Sequence, residues 1–154
     1  MTPTITPYRD HDAATVEALL RAAFGQQAEA DLVEALRRDG AMAAEWLALA
    51  EDRVVGHVAL SHMRAPEGWL CLAPLAVQPE RQGQGIGSAV LHHVVRHVDA
   101  TVVVLGEPSL YARAGFSKQR AQDLASPYPL SHTLILRPGD DRPTETLLYP
   151  AAFG

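Results

Sequence analysis

The sequence predicts an α/β fold with a mixed sheet, and three observations predict it. The elements run strand, two helices, a three-stranded meander, helix, strand, helix, strand. A glycine-rich loop joins the last strand of the meander directly to a helix. Beyond that helix lies a short, β-branched, very apolar strand, Thr101 to Leu105, so the second half reads as a βαβ unit after an antiparallel first half.

Each element follows from its own residues. Thr4 to Tyr8 alternates β-favouring residues and reads as an edge strand. From His11 to Phe24, Val16, Leu19, Leu20 and Phe24 recur at helical spacing, with Asp12 as N-cap and Gly25 as stop. Ala30 to Arg38 gives a second helix with Leu32, Val33 and Leu36 on one side. Met42 to Glu51, Val54 to Met63 and Trp69 to Val77 are strands, joined by turns at Glu51-Asp52-Arg53 and Ala65-Pro66-Glu67-Gly68. Gly85 to Asp99 is the helix behind the glycine loop, Ser109 to Ala114 a short helix, and Thr133 to Leu136 a late strand.

Length and composition set the class. The 154 residues read as one domain, 1–154, long enough to bury roughly two thirds of the unfolded surface. No apolar run approaches the ~20 residues of a membrane span, and residues 1–10 lack a signal-peptide pattern. A single cysteine, Cys71, forms no internal disulfide, which points to the reducing cytoplasm. A net charge of −5 without a readable basic face argues against nucleic acid as a partner.

The loop carries the chemistry. Gly83, Gly85 and Gly87 remove Cβ atoms from a segment that opens a helix, whose first N–H groups are unpaired and lie at the positive end of its dipole. That is a cradle for a phosphate or pyrophosphate, with Arg81 as a fixed cation beside it. A plain glycine-rich turn is the simpler reading, and the alternating glycines backed by Arg81, Gln82 and Gln84 exceed what such a turn needs. The dinucleotide pattern G-x-G-x-x-G fails, because the sixth position is Ser88 counted from Gly83 and Val90 counted from Gly85. No Gly-Lys-Ser/Thr follows, so a P-loop fails too.

Gln82-Gly83-Gln84-Gly85-Ile86-Gly87 resembles Q/R-x-x-G-x-G/A, the acyl-CoA loop of the GNAT N-acetyltransferases, and Leu75-Ala76-Val77-x-Pro79 resembles the strand end before it. Downstream, Leu105-Gly106-Glu107-Pro108-Ser109-Leu110-Tyr111-Ala112-Arg113-Ala114-Gly115-Phe116 resembles that family's second signature, a tyrosine four residues before Gly-Phe. Gly56-His57, Leu72-Ala73-Pro74-Leu75-Ala76-Val77 and the ending Leu148-Tyr149-Pro150-Ala151-Ala152-Phe153 are similar to small, stand-alone bacterial members.

The resemblance implies a GNAT fold, with a β-bulge in the central strand and a splay between Trp69–Val77 and Thr101–Leu105. It implies acetyl-CoA as cosubstrate, without a metal, and acetyl transfer to a primary amine of a small molecule or peptide. The backbone of Leu75, Ala76 and Val77 would pair with the pantetheine arm, and the amides of Gln82, Gly83, Gln84, Gly85, Ile86, Gly87 and Ser88 would hold the pyrophosphate. Tyr111 would be the catalytic donor to the leaving thiolate. Acceptor choice would lie in Phe24–Glu34 and Ala121–Thr133.

The base stays open among Glu107, which also suits a helix cap, and His57 and His62, which point to opposite faces of one strand. His92, His93 and His97 lie beside or opposite the apolar stripe of their helix and read as a solvated face, not a metal site. Cys71 reads as a packed thiol. Two rival functions remain: a non-catalytic acyl-CoA sensor, consistent with Leu110 where similar members have a first tyrosine, and a toxin-like acetylation of charged tRNA, against which the charge counts. A strand near the C-terminus is suited to pairing between subunits in a homodimer.

Overall fold

A computed structural model describes residues 2–154. Its elements are β1 (Thr4–Pro7), α1 (Ala13–Phe24), α2 (Ala28–Arg38), β2 (Met42–Ala50), β3 (Arg53–His62), β4 (Leu70–Val77), α3 (Ile86–His97), β5 (Val102–Leu105), α4 (Pro108–Arg113) and β6 (Thr133–Leu136). The six strands form one sheet in chain order, antiparallel except for the β4–β5 pair. The expected mixed sheet is present.

Period-2 alternation divides the core between two faces. On one side Val58, Leu60, Leu72, Val102 and Val104 pack under α3 and α4. On the other, Leu47, Ala59 and Ala76 pack under α1 and α2, while Cys71, Val103 and Ile135 are covered by the C-terminal segment through Leu147 and Tyr149. Val16, Leu19 and Leu20 of α1 are buried at the predicted helical spacing, and each such side chain contributes roughly 1.5–3 kcal/mol. Cys71 is fully buried and burial pushes its thiol up to about 12, so it is a packed, unreactive sulfur.

Two local details differ from the sequence reading. Asp12 occupies the N-cap position of α1, but its side chain makes no bond to that helix. It ends a short 3₁₀ turn and its Oδ2 accepts a 3.0 Å bond from the Arg9 N–H. Glu107 is the N-cap residue of α4, but its side chain makes no capping bond.

The feature that positions the site is a gap in the sheet. Strand β4 pairs with β5 only at Leu70, Leu72 and the Cys71 between them. Opposite β3, the register steps from Val58↔Leu75 to Leu60↔Leu72, which leaves one extra residue in β4 at Ala73-Pro74. Pro74 has no N–H to give a neighbouring strand, so the ladder breaks where it sits. Beyond this β-bulge, Leu75–Val77 remain paired to β3 and leave β5. Both the bulge and the splay implied by the resemblance are there.

Candidate active site

Two cavities flank the splay. The first, about 530 Å³, lies between the glycine loop and α4. Gly83 and Gly85 have φ of +79° and +84° with open space where a Cβ would stand, so these positions need glycine for backbone conformation. Gly87 is different: it sits in the first turn of α3, and a Cβ there would only touch Val77 at 3.8 Å. Among the described residues, no protein acceptor takes the N–H groups of Ile86, Gly87 or Ser88. These are the donors an anion would find.

The loop's shape is fixed by its own glutamines. Gln82 Nε2 donates to the Val77 carbonyl (3.2 Å), tying the loop to the end of β4, and Gln84 Nε2 donates to the Glu80 carbonyl (3.3 Å). Gly56 on β3 sets how closely α3 approaches. A Cβ there would stand 3.1 Å from Ala48 and 3.2 Å from Ile86, the first residue of that helix.

Seven of the sequence-predicted residues converge on this first cavity: Val77, Gln82, Gly83, Gly85, Ile86, Gly87 and Ser88. Arg81 and Arg113 also line it, with His92 and Leu110. Ala76 and Gln84 do not. The Ala76 side chain is buried beneath α1, and Gln84 lies on the outer side of the loop near Pro3 and Ala50. The sequence reading missed Arg113 and His92 as lining residues. His92 could have been found, since it stands one helical turn after Ser88 on α3 and so shares its side of the helix.

The second cavity, about 350 Å³, opens on the other side of the splay. Leu75 and Tyr111 line it, as do Glu29 and Glu107, and Leu110 borders both cavities. Phe24 and Leu32, at the end of α1 and on α2, form its rim. Of the two segments 24–34 and 121–133, the first therefore borders this cavity, through Phe24, Glu29 and Leu32, and no residue of the second lines it.

Tyr111 is 7% exposed and packs edge-to-face on Phe116 at 5.8 Å. Burial, reinforced by the nearby Cys71, pushes its phenol up to about 12. Its ring lies so close to Gly106 that a Cβ there would stand 2.6 Å from Cε2. Among the described residues no protein group partners its hydroxyl.

The three base candidates separate cleanly. Glu107 lines the second cavity. His62 is exposed at the end of β3, away from both cavities. His57 is fully buried on the α1 face, where Nε2 donates to Glu45 Oε1 at 2.8 Å and Nδ1 has no partner. Arg37 completes that cluster with two 2.8 Å bonds to Glu45. Among α3 histidines, His93 and His97 stack at 4.0 Å and His93 packs edge-on against Trp46. No group of three or more metal-ligating side chains converges among the described residues, and no helix is long and apolar enough to cross a membrane.

The family model described as the acetyltransferase (GNAT) domain matches residues 43–118, which include the bulge, the loop and Tyr111. The N-acetyltransferase YhbS of Escherichia coli (strain K12) is 36% identical over 126 residues, covering 77% of this chain and 75% of that protein. The chain belongs to the GNAT acetyltransferase family. Solved structures of this GNAT family give the same architecture. The E. coli YhbS crystal structure in complex with CoA has a TM-score of 0.86 at 32% identity, covering 99% of this chain and 92% of that one. A Brucella melitensis GNAT acetyltransferase in complex with acetyl-CoA has a TM-score of 0.82 at 31% identity, covering 99% and 98%.

Proposed function

We propose that this GNAT enzyme transfers the acetyl group of acetyl-CoA directly to a primary amine of a small molecule or peptide, within the single domain 1–154. The observation that carries the reading is the opposed charge of the two cavities. Arg81 and Arg113 line the glycine-loop side and suit phosphates, while Glu29 and Glu107 line the other and suit an ammonium. The splay between β4 and β5 is the passage that joins them.

Acetyl-CoA fits the residues on the loop side. The N–H groups of Ile86 to Ser88, in a loop opened by Gly83 and Gly85, hold the pyrophosphate, and Arg81 and Arg113 add fixed positive charge. The unpaired edge of Leu75, Ala76 and Val77 bonds the pantetheine amides as an added strand would.

On the acceptor side, an ammonium must lose a proton before its nitrogen can attack. Glu107, the base candidate that lines this cavity, receives that proton directly or through water. A C–N bond then forms at the thioester carbon and the C–S bond breaks. Tyr111, neutral because its phenol is held near 12, donates its proton to the departing thiolate and regains one from the nitrogen through solvent. The net change is one amide, one thiol and one released proton.

Steady-state thiol release with acetyl-CoA and an amine panel tests this. Tyr111→Phe lowers kcat about 10²-fold with the KM for acetyl-CoA unchanged. Unchanged kcat removes Tyr111 from the chemistry. Tight acetyl-CoA binding with transfer to no amine contradicts the enzymatic reading in favour of a sensor.

A further inference from the structure

The second cavity also constrains what the acceptor looks like, and this inference rests on the acetyltransferase reading above. We infer that the acceptor is a primary ammonium carried on an apolar aliphatic or aromatic body, recognised by Glu29 and by Phe24 at the rim of the cavity.

Phe24 is 39% exposed at the last position of α1, and only Leu148 joins it among exposed large apolar side chains of the described residues. The exposure is not accidental placement on open surface, because Phe24 borders the same cavity as Leu32, Leu72 and Leu105. An apolar body seated there removes Phe24 and the half-buried Leu32 and Leu105 from water against the already buried Leu72, which is where the affinity for such a ligand arises. A strongly polar body would strip its own hydration against those walls with few partners in return.

The charge is equally specific. Glu29 and Glu107 both line the cavity, and no basic side chain does. Gln26 Nε2 donates to both oxygens of Glu29 at 3.1 and 3.0 Å, which orients the carboxylate without neutralising it. Tyr111, more than nine-tenths buried and without a protein partner for its hydroxyl, lines the inner end. The cavity therefore offers anionic acceptors at defined places on an otherwise apolar wall. That pattern selects a single positive charge with a greasy body, and it disfavours polyols, anionic amines and extended polycations.

The test compares kcat/KM for hexylamine and phenylethylamine with that for ethanolamine, spermidine, glycine and a hydrophilic peptide with a free N-terminus. The apolar monoamines are preferred by about tenfold or more. Phe24→Ser raises their KM by about tenfold and Glu29→Gln does likewise, both with the KM for acetyl-CoA unchanged. A preference for the polar amines or the peptide overturns the inference while leaving acetyl transfer intact. So does an unchanged amine KM in both variants, provided thermal melts show them folded. Transfer to none of the amines fails the acetyltransferase reading itself, and this inference with it.

Discussion

At the residue scale the decisive contact joins Tyr111 and Gly106. The tyrosine ring is pressed onto the glycine on one side and onto Phe116 on the other, so its hydroxyl is aimed by packing and not by a hydrogen bond. Replacing Gly106 by alanine puts a methyl 2.6 Å from the ring, and a buried ring cannot yield without shifting its neighbours. Gly106→Ala is therefore expected to cost about 1–3 kcal/mol, measured by urea denaturation. In a Tyr111→Ala background the same substitution should cost close to nothing, because the collision partner is gone. Equal costs in both backgrounds would show that the cost does not arise from the Tyr111 ring. Tyr111 was legible in the sequence through its spacing from Gly115-Phe116. Gly106 was visible only as part of the same signature, since nothing in a sequence reports that a glycine faces a ring five residues on.

Elements explain why some of the site was readable and some was not. Pro74 in an otherwise apolar strand is a sequence signal for a break, and the bulge and splay lie at that proline. The glycine loop was legible because its demand is local: two left-handed positions followed by a helix start. Arg113 and Glu29 were not, because each reaches its cavity through the packing of a helix against the sheet, which no short pattern encodes. His57 shows the opposite error risk. It was a base candidate from its place on the meander, yet its strand turns it under α1, where Glu45 and Arg37 hold it. Burial alone would raise the Glu45 carboxyl, but hydrogen bonds from Arg37 and His57 outweigh this and hold it below the usual range. Glu45→Ala leaves the fully buried His57 imidazole and the part-buried Arg37 guanidinium without their carboxylate, so it should destabilise by about 3 kcal/mol in urea while changing the acetyl-CoA KM little. A neutral effect would mean that water replaces the carboxylate.

For the whole molecule, burial of acids on and around the central strand has a consequence at high pH. Burial pushes Cys71 and Tyr111 each up to about 12 and raises Tyr149 as well. The unfolded chain loses those protons from about pH 9 onward while the native state keeps them. The native state then binds more protons than the unfolded one, so stability falls as pH rises. Urea midpoints should drop from about pH 8 to pH 10 by the equivalent of about 2 kcal/mol, and a flat profile would contradict this burial. The same molecule-wide view joins the two cavities into one path: phosphates on the glycine loop, thioester at the splay, amine beside Glu107 and Phe24. A crystal structure with acetyl-CoA tests that path most directly. The account predicts pyrophosphate density on the N–H groups of Ile86 to Ser88, with the acetyl group lying between Leu75 and Tyr111. Pyrophosphate density on the Glu29 and Glu107 side, or an acetyl group remote from Tyr111, would contradict it.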